Sequence, residues 1–241
     1  MMNKLKVIDF DYKSMKVKEL YFNENIVQMN DGVSIKEVRE VFGRNLKFSE
    51  FKNDRPYTYN SLVASIDGKI AFEDSPQGPL IAKKNMFASI GSTVDYWILN
   101  LLRGSADAII CGTQSISKEI NSGGTGHCYD ANITNYRKEN GMSEVPWRIV
   151  VTLDGNDVPF EAAQFTHPDM TSMFYTTQFG VEKILEKSNK EVVVIGPFDS
   201  VEKVSLENFI FDSKKSYAIV TNTNKEFRSE EHTSELQSQS H

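Results

Sequence analysis

Short apolar runs that lead directly into polar loops are the feature that most constrains the fold of this chain. Tyr57 to Ile66 runs into Asp67-Gly68. Ala108 to Cys111 runs into Gly112-Thr113. Such runs are typical of buried strands in a mostly parallel sheet, and parallel sheets bind ligands at the carboxyl ends of their strands. The pattern therefore predicts an α/β protein and indicates a nucleotide-cofactor enzyme.

From Tyr57 onward, apolar strand patterns alternate with helical ones, which predicts a three-layer α/β/α domain with a mostly parallel central sheet. Predicted strands cover residues 57–66, 108–111, 147–153, 173–177, 191–195 and 216–220. Predicted helices cover residues 34–42, 92–103, 181–187 and 204–211, with a helical stretch around 135–139. Because the run 108–111 is wholly apolar, it is expected to be central in the sheet.

Three regions follow from this reading. Residues 1–54 form a mixed or helical extension, in which Ser34 is expected to cap a helix that Gly43 ends. Residues 55–227 form the α/β domain. Residues 228–241 resemble the translation of a sequencing adapter, and their polar composition predicts a disordered tail. We expect that the natural chain continues past Phe227, so that the domain is truncated at its carboxyl end.

Composition limits the classes of function. The chain has 241 residues, 39% of them hydrophobic, and a formal net charge of −6, which argues against a protein that mainly binds nucleic-acid phosphates. It has no apolar run long enough to span a bilayer and no secretory signal pattern, so a cytoplasmic protein without membrane contact is predicted. Its two cysteines predict neither a disulfide framework nor a zinc site, and the adjacent His127 and Cys128 are interpreted as ordinary loop residues.

Several motifs occur in a characteristic order between Arg55 and Leu153. They are Arg55-Pro56-Tyr57, Ser65-Ile66-Asp67-Gly68-Lys69, Leu102-Arg103-Gly104, Asp107-Ala108-Ile109, Gly112-Thr113-Gln114-Ser115-Ile116 and Pro146-Trp147-Arg148-Ile149-Val150. In this order they resemble the reductase domain of riboflavin biosynthesis, a member of the dihydrofolate-reductase-like superfamily. The resemblance implies NADPH as cofactor and a phosphorylated ribosylamino-pyrimidine as the substrate that is reduced. It implies no metal, and it agrees with pairing of the chain as a homodimer.

The resemblance also implies roles for individual residues. Val63, Ser115 and Glu119 match positions that contact the dinucleotide, and Gly112 and Thr113 belong to the loop that would offer backbone N–H groups to its phosphates. Arg103 matches a substrate contact and would suit a phosphate, since a guanidinium binds phosphate in a bidentate manner. Asp67 is expected to bind the substrate by orienting a ribityl or ribose hydroxyl. No catalytic residue is assigned.

Several of these residues also have an alternative, purely structural explanation. Arg103 could complement a helix dipole, Asp67-Gly68 could be a simple turn, and the Ser115 hydroxyl could be a helix cap. Tyr57 and Trp147 are interpreted as core residues.

The chain also departs from the family pattern. Ser61 stands where many members have a lysine, Glu119-Ile120-Asn121 replaces the commoner Asp-Asp-Pro, and no Glu-Gly-Gly-Pro loop is present. Two alternatives therefore remain: a reductase of the same fold that acts on another pterin-like or carbonyl substrate, and a non-catalytic dinucleotide-binding domain.

Overall fold

The computed structural model describes residues 4–15, 17–18, 20–21, 30–48, 57–77, 80–84, 89–120, 124–188, 192–198, 217–220 and 226–227. Arg55-Pro56, the predicted helix at 204–211 and the tail at 228–241 lie outside the described residues. The chain forms two compact units. The first comprises residues 1–52, 57–106 and 127–146, and the second comprises residues 53–56, 107–126 and 147–241.

The first unit is mainly helical. Its elements are a 3-10 turn at Tyr12–Ser14, the two-stranded antiparallel pair β1 (Asn30–Asp31) and β2 (Lys47–Phe48), and the helices α1 (Lys36–Phe42), α2 (Leu80–Lys83), α3 (Ser89–Ser105) and α5 (Ala131–Glu139). The predicted helices at 34–42 and 92–103 are thus present as α1 and α3, since their apolar residues recur at helical spacing. Gly43 ends α1 in the left-handed conformation (φ 74°), as predicted, but Ile35 is the N-cap and no side chain caps this end.

The core of the first unit joins the N-terminal residues to α3 and α5. Trp97 and Leu101 on α3 are fully buried, and so is Ile133 on α5. Met15, Val33, Val38, Val41 and Cys128 complete this buried cluster. Residues before position 54 therefore share a hydrophobic core with a helix that belongs to the motif-bearing part of the chain.

The second unit is built on a six-stranded sheet. Its strands are β3 (Ala108–Gly112), β4 (Trp147–Val151), β5 (Ser172–Thr177), β6 (Val192–Phe198), β7 (Tyr217–Val220) and β8 (Glu226–Phe227), in that spatial order. Strands β3 to β6 are parallel, whereas β7 and β8 are antiparallel to their neighbours. The helices are α4 (Thr113–Glu119), α6 (Ala163–Thr166) and α7 (Gln178–Lys187). The predicted α/β class, a mostly parallel sheet with flanking helices, is confirmed.

One face of this sheet packs on helices within the second unit. Val150 of β4 and Phe174 of β5 are almost completely buried against Ile116 of α4 and Ile184 of α7. These residues alternate along the strands with side chains on the opposite face, as the period of two in a strand requires. Because β3, β4 and β5 are parallel neighbours, their carboxyl ends lie side by side at one edge of the unit.

Two predictions about strands are wrong. Residues 57–66 form no strand, because no described strand pairs with this segment. Leu62 (69% exposed) and Ile66 in the segment are solvent-exposed. Among the described strands β3 is an edge strand, not a central one, and Ile110 is 43% exposed. An apolar run indicates that its side chains are buried under covering layers. It does not indicate how many strands pair with it.

Candidate functional site

The carboxyl ends of β3 and β4 are connected through one carboxylate. The Thr113 hydroxyl, which directly follows β3, donates a hydrogen bond to Asp157. The Thr152 hydroxyl, which directly follows β4, donates to Asp157 Oδ1 over 2.8 Å. Thr113 and Thr152 are both buried. Asp157 therefore fixes the start of α4 relative to the loop after β4, at the edge where parallel sheets bind ligands.

The loop after β4 is also tied to the start of α7. Thr177 caps α7 by accepting a hydrogen bond from the Gly180 N–H over 3.1 Å, and its hydroxyl donates to the Leu153 carbonyl over 2.9 Å. Gly155 adopts φ 70°, and a Cβ atom there would lie 2.6 Å from the Gly180 carbonyl oxygen. Only glycine fits this close approach. The carboxyl ends of β3, β4 and β5 thus form a rigid polar edge together with the loop after β4 and the first turns of α4 and α7.

The predicted cofactor loop at residues 112–115 lies on this edge, but it is not a loop, because β3 ends at Gly112 and α4 begins at Thr113. Gly112 is the N-cap of α4 and is exposed, and no atom of the described residues lies within 4 Å of where its Cβ would be. Ser115 is exposed on the first turn of α4, and Glu119 is half-buried at its end. The interpretation of Ser115 as a helix cap is wrong, because the cap position belongs to Gly112 and no side chain bonds there. Gly112 and Ser115 are accessible to a ligand, whereas the Thr113 side chain is buried at the start of α4.

A cavity of about 680 Å³ lies within the first unit, beside the amino-terminal part of α3. Its lining residues are Val63, Ala64, Ser65, Ile66, Ile81, Ala82, Lys84, Gly91, Ser92 and Asp95. Val63, predicted to contact the dinucleotide, is therefore a cavity residue. Burial raises the pKa of Asp95, which weakens its tendency to ionise at the wall of the cavity.

Asp67 lies in a tight turn next to this cavity segment. Gly68 has φ 81°, which confirms the predicted turn. Ser65 Oγ donates to Asp67 Oδ1 over 2.5 Å, and Lys69 Nζ is 3.1 Å from Asp67 Oδ2. The hydrogen bond from Ser65, together with Lys69, lowers the pKa of Asp67. The turn thus presents an exposed, ionised carboxylate in a fixed orientation.

Arg103 is half-buried in the last turn of α3, the position at which a cation complements the helix dipole. The extended segment that carries Val63 also reaches this end of α3, because the Tyr59 hydroxyl donates to the Leu102 carbonyl over 2.6 Å. The segment therefore runs alongside α3 from Leu102 to the cavity at Asp95. Tyr57 on this segment is 38% exposed and Trp147 is half-buried, so neither is fully enclosed in a core.

The predicted site residues thus fall into two groups. One group lies at the start of α4 or within it, in the second unit: Gly112, Thr113, Ser115 and Glu119. The other group lies in the first unit: Val63, Asp67 and Arg103. Sequence reasoning missed Asp157, Thr152 and Thr177, which organise the carboxyl edge. The only signal for them was the turn sequence Asp154-Gly155-Asn156, which marks a loop but not its bonding partners.

His127 and Cys128 have structural partners. The Cys128 thiol is buried and donates to the Asn100 carbonyl over 3.4 Å, and burial raises its pKa to about 11. His127 Nε2 lies 2.8 Å from the Lys6 carbonyl oxygen. Within the described ranges no three His, Cys, Asp or Glu side chains are grouped closely enough to hold a metal ion.

No family model matches the chain, and no curated protein sequence matches it either. In the part of the chain that the structure describes, no helix has both the length and the apolar character needed to cross a membrane.

Proposed function

We propose that this chain is an NADPH-dependent reductase of the riboflavin-biosynthesis type, which reduces a 5-amino-6-(5-phosphoribosylamino)pyrimidine to the ribitylamino product. The observation that carries the proposal is the exposed Gly112 at the junction of β3 and α4, where the Thr113–Asp157–Thr152 hydrogen bonds hold the carboxyl end of β3. Dinucleotides bind α/β sheets at such strand ends, where backbone N–H groups meet phosphate oxygens. The ordered motifs from Arg55 to Leu153 support the same activity.

The residues at this edge fit a dinucleotide in two respects. The open space around Gly112 lets a phosphate approach the backbone, and the exposed Ser115 hydroxyl is able to donate a hydrogen bond to it. When bound, NADPH would supply the hydride for reduction of the opened ribose. Arg103 would bind the substrate phosphate, and the ionised Asp67 carboxylate would accept hydrogen bonds from sugar hydroxyls.

The test is an NADPH titration of the full chain by nucleotide fluorescence, combined with a turnover assay on the phosphoribosylamino-pyrimidine. Saturable NADPH binding with turnover supports the proposal. Binding with turnover only on another pterin-like or carbonyl substrate favours the other reductase function. Binding without turnover on any of these substrates favours a non-catalytic dinucleotide-binding domain. If neither NADPH nor NADH binds at high micromolar concentration, the proposal is wrong.

A pair of serine variants on α4 locates the cofactor. Ser115→Ala is expected to weaken NADPH binding about 3- to 10-fold, because it removes one hydrogen bond to the ligand. Ser117→Ala is the matched control, since the Ser117 hydroxyl donates to the Thr113 carbonyl within the same helix over 3.0 Å. Equal affinities of the two variants would place the dinucleotide away from the first turn of α4.

A further inference from the structure

A cluster of buried polar residues around Arg148 lies inside the second unit. Arg148 on β4 is 6% exposed, so its guanidinium is almost completely removed from solvent. Nη1 donates to the Gly126 carbonyl over 3.2 Å, and Nη2 donates to Cys111 Sγ over 3.5 Å and to Gln164 Oε1 over 3.4 Å. The two contacts to oxygen are at the long end of the hydrogen-bond range, the third is a weak hydrogen bond to sulfur, and none of these partners is a carboxylate.

Three polar atoms around Arg148 lack any hydrogen-bond partner among the described residues. They are Arg148 Nε, Gln164 Nε2 and Ser172 Oγ, and each atom is buried. Gln164 is 3% exposed and contacts Arg148 directly. Ser172 is the β5 residue that pairs with Arg148 in the parallel register, so the two side chains share one face of the sheet. Two of these atoms are donors only, and the hydroxyl is able to donate as well.

The position of the guanidinium is fixed by the backbone. Gly126 adopts φ 70°, and a Cβ atom there would lie 2.8 Å from Cζ, Nη1 and Nη2 of Arg148. The absence of a side chain at Gly126 therefore lets the backbone cover the guanidinium closely. Because of this cover, Arg148 is held among Cys111, Gln164 and Ser172 and does not reach solvent.

A buried guanidinium without a negative partner is costly, since removal of an ion from water is compensated only by an opposite charge and complete hydrogen bonding. Cys111 does not supply this charge, because burial raises the pKa of its thiol and keeps it neutral. A water molecule would satisfy donors but would leave the charge uncompensated. An anion does both.

We propose that Arg148, Gln164 and Ser172 form a binding site for a small monoanion, of the size of chloride or formate, inside the second unit. Arg148 Nε, Gln164 Nε2 and Ser172 Oγ donate to it, and the guanidinium supplies the opposite charge. The site is independent of the proposed reductase function, because none of its residues is among those assigned to the dinucleotide or its substrate. The anion stabilises the fold around β4 and β5.

The test measures thermal unfolding of the full chain as potassium chloride replaces potassium gluconate at constant ionic strength. Gluconate is too large for such a site, so chloride is expected to raise the melting temperature by about 3 °C from the lowest to a saturating concentration. A parallel series with formate shows whether a carboxylate competes as well as a halide. A melting temperature that is independent of both anions overturns the proposal and favours a neutral molecule, such as water, as the partner of these donors.

Three variants assign the effect to this cluster. Arg148→Met is expected to abolish the dependence on chloride, whereas Arg39→Met, which removes an exposed guanidinium from α1, is expected to retain it. Ser172→Ala keeps the charge and removes one donor, so it should raise the half-saturating chloride concentration about 3- to 10-fold. If Arg148→Met does not fold, Ser172→Ala still decides the proposal, because an unchanged half-saturation contradicts a contact at Ser172. Retention of the full chloride response in a folded Arg148→Met protein also overturns it.

A direct structural measurement complements the titration. Crystals of the full chain grown with bromide should show an anomalous peak within hydrogen-bond distance of Arg148 Nε. An anomalous map without a peak beside this atom, at a bromide concentration that saturates the thermal shift, contradicts the assignment of the site.

Discussion

The two units each bury an arginine, and the two arginines are bonded very differently. Arg137 in the first unit is fully buried and donates to the carbonyl oxygens of Ser143, Gly104 and Ala106 over 2.7, 2.8 and 2.8 Å. Arg148 in the second unit makes three contacts of 3.2 to 3.5 Å and leaves Nε without a partner among the described residues. Arg137 makes short hydrogen bonds to three backbone carbonyl oxygens, whereas Arg148 contacts one backbone carbonyl and two neutral side chains at longer distances.

This difference separates a structural arginine from a ligand-binding one. Gly104 and Ala106 lie at the end of α3, where the last carbonyl groups have no partner inside the helix. Arg137 on α5 satisfies two of these groups and places a positive charge at the negative end of the α3 dipole. The partners of Arg148 are Gly126, Cys111 and Gln164, none of which offers a carbonyl group at a helix end. We infer that a bound anion compensates its buried charge.

The largest expected effect is the loss of the structural arginine. Arg137→Met should lower the free energy of unfolding by about 3 kcal/mol, because three buried carbonyl groups lose a charged donor. Urea unfolding followed by tryptophan fluorescence measures this change, since Trp97 lies in the same unit. Arg137→Lys is the matched control and should lose less, because it keeps the charge with a single donor group. A loss below about 1 kcal/mol for the methionine variant would show that the α3 end is solvated.

A pair of glycine variants examines how tightly the second arginine is held. Gly126→Ala should cost about 2 kcal/mol, because it combines a strained backbone at φ 70° with a contact of 2.8 Å to the guanidinium. Gly141→Ala has the same φ but no atom within 4 Å of the new Cβ, so it should cost about 1 kcal/mol. Denaturant unfolding gives both values. Equal costs would mean that Arg148 moves aside freely.

Sequence patterns predicted the elements but not these buried charges. Trp97 and Leu101 on α3 repeat at helical spacing, and Val150 and Phe174 lie in apolar runs, so local sequence determined their elements. The edge position of β3 and the absence of a strand at 57–66 depend on neighbours that are distant in sequence. The burial of Arg137 and Arg148 was not predictable for the same reason. Their partners, which include Gly104 and Gln164, are brought close by the tertiary fold.

The candidate site shows the same limit. Local sequence placed Gly112 and Ser115 correctly at the end of an apolar strand, but it predicted a loop where α4 begins at Thr113. Asp157, which joins Thr113 to Thr152, was not, because no local pattern relates a carboxylate after one strand to hydroxyls after two strands. Local signals thus indicated where a ligand would bind, while the side chains that make the edge rigid required the structure.

A smaller effect of opposite sign is expected at Arg148 itself. In gluconate without chloride, Arg148→Met should raise the free energy of unfolding by about 1 kcal/mol, since an uncompensated buried charge is replaced by an apolar side chain of similar length. The same urea titration that is used for Arg137→Met provides the value. Destabilisation by 3 kcal/mol or more, equal to that expected at Arg137, would show that the three long contacts of Arg148 already satisfy it.

The smallest effect concerns the buried carboxylate of the first unit, which sharpens the contrast because it accepts hydrogen bonds from four donors. Asp130 caps α5 by accepting hydrogen bonds from the Asn132 and Ile133 N–H groups over 2.9 and 3.0 Å. Trp97 Nε1 donates to Oδ2 over 3.0 Å, and the Tyr12 hydroxyl donates to Oδ2 over 2.8 Å. Burial nevertheless raises the pKa of Asp130 above its ordinary value of 3.8.

A raised pKa in the folded state means that the folded protein binds the proton more tightly than the unfolded chain does. The stability that this proton contributes is fully present below the ordinary pKa of 3.8, and it is lost as the pH rises through the higher pKa of the folded state. Relative to Asp130→Asn, which does not titrate, the wild-type chain should therefore lose stability between pH 3.5 and neutrality. Urea unfolding of both proteins across this range measures the difference. An increase with pH would show that the four donors around Asp130 outweigh its burial, and that this carboxylate is stabilised as an anion.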